Sequence, residues 1–143
     1  MGVYPPGMSY TLKNLRDVAD RAPEFGLTEV GEARFPARDL DAQKTGLALH
    51  TLRPNRRQAF AHRHAEAEEI HLVLSGNGRA RLDEQTIELG IMDALRVAPT
   101  VVRAFEAGPE GLELLVFGPH HAGDGELLHE DVWGSPAPEA TQP

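Results

Sequence analysis

The stretch "FAHRHAEAEEIHLVLSG", Phe60 to Gly76, holds three of the chain's seven histidines and three of its carboxylates. On an extended strand, side chains two apart share a face, so His62 and His64 project together and Arg63 projects to the other side. Two neutral imidazoles with one carboxylate from a neighbouring strand, Glu69, make the three-ligand set used for Fe(II), Mn(II), Ni(II) or Zn(II). Such a set leaves positions open for water or substrate. The chain has no cysteine, which excludes thiolate ligands, a cysteine nucleophile and disulfide stapling. An HxH pair alone also occurs in exposed strands that bind nothing, so the surroundings must decide.

Those surroundings begin with "EEIHLVLS". If strand pairing resumes here, Glu69, His71 and Val73 lie on one face and Ile70, Leu72 and Leu74 on the other. Both faces then look buried. A buried face carrying Glu69 and His71 must pair these groups or open into a polar cavity, because isolated buried charge is costly. His71 is then either a cavity-wall histidine bonded to a neighbour or a further metal ligand. His50, in "GLALHTL", lines the barrel mouth or faces outward. In "GPHHAGDGELLHEDVWG", His120, His121 and His129 stand among acids and read as solvated, with Leu127, Leu128 and Trp133 anchoring an extension. "PNRRQ" reads as a solvated turn. "SGNG" is no phosphate loop because no helix follows it, and no serine sits in a nucleophile elbow.

The elements that must position this cluster are short segments rich in Val, Leu, Ile, Phe and Thr, separated by Gly, Pro, Asn and Asp. "LTEVGEARF", "GLALHTLR", "QAFAHRH", "EEIHLVLS", "GRARLDE", "QTIEL", "DALRVA", "VVRAFEA" and "LELLVFG" are the expected strands. No long helical crossover lies between them, so the expectation is an all-β antiparallel sandwich or barrel. Hairpin corners are expected at Gly76 to Gly78 and at Asp83 to Gln85. Before the strands, Leu12, Leu15, Val18 and Ala19 have helical spacing and predict one short N-terminal helix closed by Pro23 and Gly26. The organisation expected is a lead with this helix over 1–25, a barrel over 26–118 and an extension over 119–143. "MGVYPPGM" is a loose lead, and "GSPAPEATQP" is expected to be disordered.

At 143 residues and a net charge of −8, the chain fits one domain whose average field repels phosphate backbones and anionic lipid. Nucleic acid and membrane are thus not expected as partners, and no run approaches the ~18 apolar residues of a span. A soluble, cytoplasmic protein is expected.

The spacing His62, His64, Glu69, Gly76 reads HxH, four residues, E, six residues, G, and resembles the first motif of the cupin superfamily. Where that motif opens with Gly, this chain has "PNRRQAFAH"; Asn55 there is, after Gly, the residue most tolerant of left-handed backbone. The second cupin motif resembles "GIMDALRVAPTVVRAFEAG", in which Gly90, Asp93 and Pro99 fall well. Val101 replaces a Gly, Arg103 takes the place of the last metal-binding His, and Glu106 or its neighbour replaces an Asn. The resemblance covers about residues 45 to 118 and is shared with small single-domain bacterial cupins. It implies a double-stranded β-helix, or jelly-roll-like barrel, with a divalent transition metal on His62, His64 and Glu69, and a homodimer. Dioxygenases, isomerases, epimerases and decarboxylases are all compatible with it.

Arg103 bears on that implication. A guanidinium has no lone pair to donate, so it is no ligand, and it repels a dication a few ångströms away by several kcal/mol. Strand periodicity aims Val101, Arg103 and Phe105 inward. Either Arg103 grips the anionic part of a small-molecule ligand beside a metal, with His71 as acid or base, or it pairs with Glu69 in a metal-free barrel that only binds or senses its ligand.

Overall fold

The computed structural model describes residues 9–138. The lead "MGVYPPGM" and the last five residues of the tail lie outside that range. Eight strands form one curled antiparallel sheet: β1 (Gly31–Arg34), β2 (Thr45–Leu52), β3 (Ala61–His64), β4 (Glu69–Leu82), β5 (Gln85–Leu89), β6 (Ala94–Val97), β7 (Arg103–Pro119) and β8 (Gly125–Leu128). Neighbours run β1, β2, β7, β3, β8, while β4 pairs with β5, β6 and β7.

The curl comes from β4 and β7, each long enough to serve both halves of the barrel. The first half of β4 pairs with the second half of β7 (Ile70 with Phe117, Val73 with Leu114), and the second half of β4 with the first half of β7 (Ala80 with Phe105, Leu82 with Arg103). Between these stretches the register shifts at Val73/Ser75 and at Gly76/Gly78. The hairpin expected at Gly76 to Gly78 is therefore a bulged bend inside a continuous strand. Gly76 has φ +73°, and a Cβ there would stand 2.0 Å from the Gly111 carbonyl oxygen, so the two strands cross where only glycine fits. The other expected corner is a true turn, with Asp83 left-handed at φ 51° between β4 and β5; Asn55 is left-handed too, at φ 59°.

The N-terminal helix is replaced by two 3-10 turns, Leu15–Asp17 and Ala22–Phe25. Asn14 caps the first by accepting from the Arg16 N–H, and Val18 is already extended. Asp20 then bridges to Arg34, and its carboxylate accepts from the Ala22 and Ala33 N–H groups. Sheet pairing thus wins over a helical face whose Leu12 stays exposed. Arg16 ties this segment to the barrel through two bonds to the Glu113 carboxylate, at 2.8 and 2.9 Å.

The core is one cluster of Leu52, Val73, Ala80, Leu89, Phe105, Ala107, Leu112, Leu114 and Val116. A second, smaller cluster joins Ala61, Ala104 and Trp133. Trp133 anchors the chain after β8, and β8 itself lies in the stretch expected to be a mere extension, paired along its length with β3. Even the tail is tethered: Arg57 donates to the Ser135 and Pro136 carbonyls. No helix among the described residues is long and apolar enough to cross a membrane.

Candidate metal centre

β3 is only four residues long, yet it is held on both sides: His62 stands opposite Arg103 of β7 and Leu127 of β8. The pleat sends His62 and His64 into the barrel, with ring centroids 5.3 Å apart and planes nearly perpendicular. Arg63 leaves on the other face and pairs with Glu126 at 2.8 Å. On β4, Glu69 and His71 point into the same space, as the strand pattern anticipated. One donor atom from each of His62, His64 and Glu69 lies within 4.8 Å of the others. Among the described residues this is the group whose geometry could share an ion.

The Glu69 carboxylate is the hub. Its Oε1 is 3.6 Å from His62 Nε2, 3.5 Å from His71 Nε2 and 3.2 Å from Arg103 Nη1, and its Oε2 is 3.3 Å from His64 Nε2. Burial works to raise the Glu69 carboxyl, but the close approach of His62, His71 and His64 outweighs it and holds it well below the usual carboxylate range. Burial pushes His64 and His71 down, more than nearby Glu69 raises them. An ionised carboxylate among neutral imidazoles is the protonation state a metal requires.

Both nitrogens of His64 and both of His71 are buried and make no well-formed hydrogen bond among the described residues; the Glu69 and Asp124 oxygens stand off at 3.3 to 3.5 Å. Buried polar atoms are nearly always satisfied, so several orphans in one cavity call for a missing partner. For His64 Nε2, a cation held between His62, His64 and Glu69 would be such a partner. The nitrogen and oxygen donors, with no thiolate, fit Fe, Mn, Ni or Zn. The residues present therefore fit a divalent transition metal.

Arg103 reaches the site from behind. It is fully buried, and its Nη2 donates to the Ala98 and Pro99 carbonyls at 2.6 and 3.1 Å while Nη1 donates to Glu69. It is not part of the cavity wall. The guanidinium thus grips Glu69 from the side away from the cavity, and the expected contact with a ligand's anion is not what its bonds are spent on.

Asp124 was not anticipated. Its carboxylate accepts from the Ala65, Glu66 and Ala67 N–H groups, each at 2.9 Å, closing the loop between β3 and β4. Its Oδ2 lies 3.4 Å from His64 Nδ1. A carboxylate behind a ligand histidine orients the ring and raises its basicity. The sequence signal was weak, an Asp between two glycines in a stretch read as solvated.

The cavity has a volume of about 470 Å³ and is lined by the triad together with His50, Gln58 and His71, and by His120 and His121 at its edge. His50 therefore faces inward. Its ring packs edge-on against Phe35 at 5.7 Å, and burial, aided by the His62 and His71 charges, pushes its pKa down to about 4. His129 stands apart, edge-on to Phe60 at 4.9 Å.

No protein-family model matches the chain, and neither does any curated protein. Solved structures do. A cupin protein from Bacteroides fragilis is 23% identical, with a TM-score of 0.63 over 81% of this chain and 87% of that one. A polyketide cyclase from Streptomyces resistomycificus is 22% identical, with a TM-score of 0.65 over 80% and 82%. Oxalate decarboxylase from Bacillus subtilis is 19% identical, with a TM-score of 0.67 over 82% of this chain but 33% of that longer one. These likenesses show that the barrel has the cupin fold, a double-stranded β-helix.

Proposed function

We propose that this barrel holds a divalent transition metal on His62, His64 and Glu69 and binds or converts a small acidic or polar molecule in the cavity over it. The observation that carries the reading is the convergence of these donors with the unsatisfied nitrogens of His64. A bound dication would supply Lewis acidity and an anchor for oxygen donors. The protein's own contribution is positional. Arg103 and the carbonyls of Ala98 and Pro99 hold Glu69 in place, Asp124 holds His64, and the barrel wall limits water. His71 lines the cavity 3.5 Å from Glu69 and is the group placed to take or give a proton at Nε2. Fold neighbours that include an oxalate decarboxylase and a polyketide cyclase support an acidic or oxygen-rich ligand without choosing a reaction. The homodimer implied by the resemblance belongs to the same proposal; exposed Tyr10 and Leu12 offer apolar surface for it.

One observation favours a second reading: Glu69 and Arg103 do form an ion pair, at 3.2 Å. In a metal-free binding barrel that pair would neutralise the site. Calorimetric titration of oxalate into Mn(II)-loaded and metal-free protein separates the two. The proposal expects the loaded form to bind oxalate and the metal-free form not to; equal binding to both forms, or a protein that takes up no Mn(II), would favour the metal-free barrel.

A further inference from the structure

Beside the metal cavity lies a second chamber of about 420 Å³. Phe35, His50, Gln58, His62 and Leu127 line both spaces, so the two meet at the edge of the triad. Apolar side chains such as Leu47, Leu114, Val116 and Phe117 wall much of the first as well, but only the first holds the imidazole and carboxylate cluster around Glu69. The second chamber is walled by Phe25, Leu27, Val30, Leu52, Phe60 and Leu127. Its two charged residues are already engaged, Arg21 with Glu24 at 2.9 Å and Glu32 with Arg34 at 3.4 Å. Gln58 at the junction is held by accepting from the Phe105 N–H at 3.2 Å.

A small diacid would sit at the His62, His64 and Glu69 cluster alone and leave this apolar space to water, which gains little there. A ligand with an apolar body would displace that water and bury its own surface. Three phenylalanine rings, and the His50 and His129 rings packed edge-on to two of them, suit a flat aromatic group. The mouth is open, with Phe25 65% and Leu127 59% exposed, so such a body can enter from solvent.

We propose that the ligand of this protein is an aryl-substituted acid whose carboxylate end sits at His62, His64 and Glu69 and whose aromatic body fills the chamber between the N-terminal segment, β1 and β8. This deepens the metal-site reading and rests on it. It narrows the ligand from any small acid to one with two parts, and it gives the 3-10 turn at Ala22–Phe25 and the strand β8 a role in recognition.

The test compares two acids with the same head, glycolate and 2-naphthylglycolate, by calorimetry on Mn(II)-loaded protein. The naphthyl acid is expected to bind about tenfold tighter or better, since its ring would bury apolar area that glycolate lacks. Ala59→Trp, at an exposed position on the chamber wall, should erase that preference by filling the space while metal content stays at the wild-type level. Leu127→Asn, a polar change at another exposed position lining the chamber, should reduce it. Equal affinity for the two acids, or a preference that survives in both variants, would overturn the inference and leave the metal site standing. Failure of the wild-type protein to take up Mn(II) would overturn the proposed function itself, and this inference with it.

Discussion

Glu69 and Glu106 are both drawn into the barrel wall, but their surroundings differ. Glu106, 3% exposed, accepts from Arg57 Nε at 2.5 Å and from Arg79 Nε and Nη2 at 2.9 and 2.6 Å. Trp133 covers the cluster, with the Arg57 and Arg79 guanidinium carbons 4.7 and 5.9 Å from its ring centre. Around Glu69 the four neighbours stand at 3.2 to 3.6 Å, and the imidazoles of His64 and His71 go unsatisfied. The first arrangement is closed and serves stability. The second gives up hydrogen bonds that a folded chain would normally make, and that deficit is what the proposed metal and ligand would make good.

The largest effect expected lies at the closed cluster. Glu106→Gln leaves Arg57 and Arg79 without their counter-charge and should cost about 3 to 4 kcal/mol, as for a buried pair that loses one partner, while metal content stays unchanged. Urea unfolding together with metal analysis reads both; a variant as stable as wild type would erase the distinction between the two glutamates.

Acid titration probes the open cluster's side of the barrel. His50 is pushed down to about 4, so between the ordinary value near 6.5 and 4 the unfolded chain binds a proton that the folded one refuses. Stability should therefore be fully present above about pH 6.5 and fall by up to about 3 kcal/mol as pH drops to 4. His50→Gln should flatten that slope in stability measured against pH, and an unchanged slope would assign it elsewhere.

Asp124→Asn should weaken metal binding about tenfold, the size of effect typical of a group behind a ligand histidine; competition with a chelator measures it, and unaltered affinity would reduce Asp124 to a loop clasp. The smallest change expected is a gain. His71 packs on Phe105 with ring centroids 4.7 Å apart, so His71→Phe keeps the packing, removes two unsatisfied nitrogens and should raise the stability of metal-free protein by about 1 kcal/mol. A loss of stability would mean that His71 is satisfied after all.

Much of the centre was legible because strand parity is a rule of two. It placed His62 with His64, and Glu69 with His71, before any pairing was known. What stayed hidden depended on partners distant in the chain. The continuity of β4 and β7 was masked by Gly76, Gly78, Gly108 and Gly111, which read as turns but permit two strands to cross. β8 is four residues between Gly-containing loops, and only its pairing with β3 makes it a strand. The grip of the Ala98 and Pro99 carbonyls on Arg103 followed from no periodicity. The helical spacing of Leu12, Leu15 and Val18 was real, but Asp20 took the N–H of Ala33 in β1 and of Ala22 in the second 3-10 turn, and the helix did not form.

The claim that Glu69 belongs to a metal centre is tested most directly by elemental mass spectrometry of protein purified without a histidine tag, comparing wild type with His62→Ala and Glu69→Ala. The account predicts about one divalent transition metal per chain, lost from both variants. Metal absent from wild type after reconstitution, or retained unchanged in both variants, would contradict it.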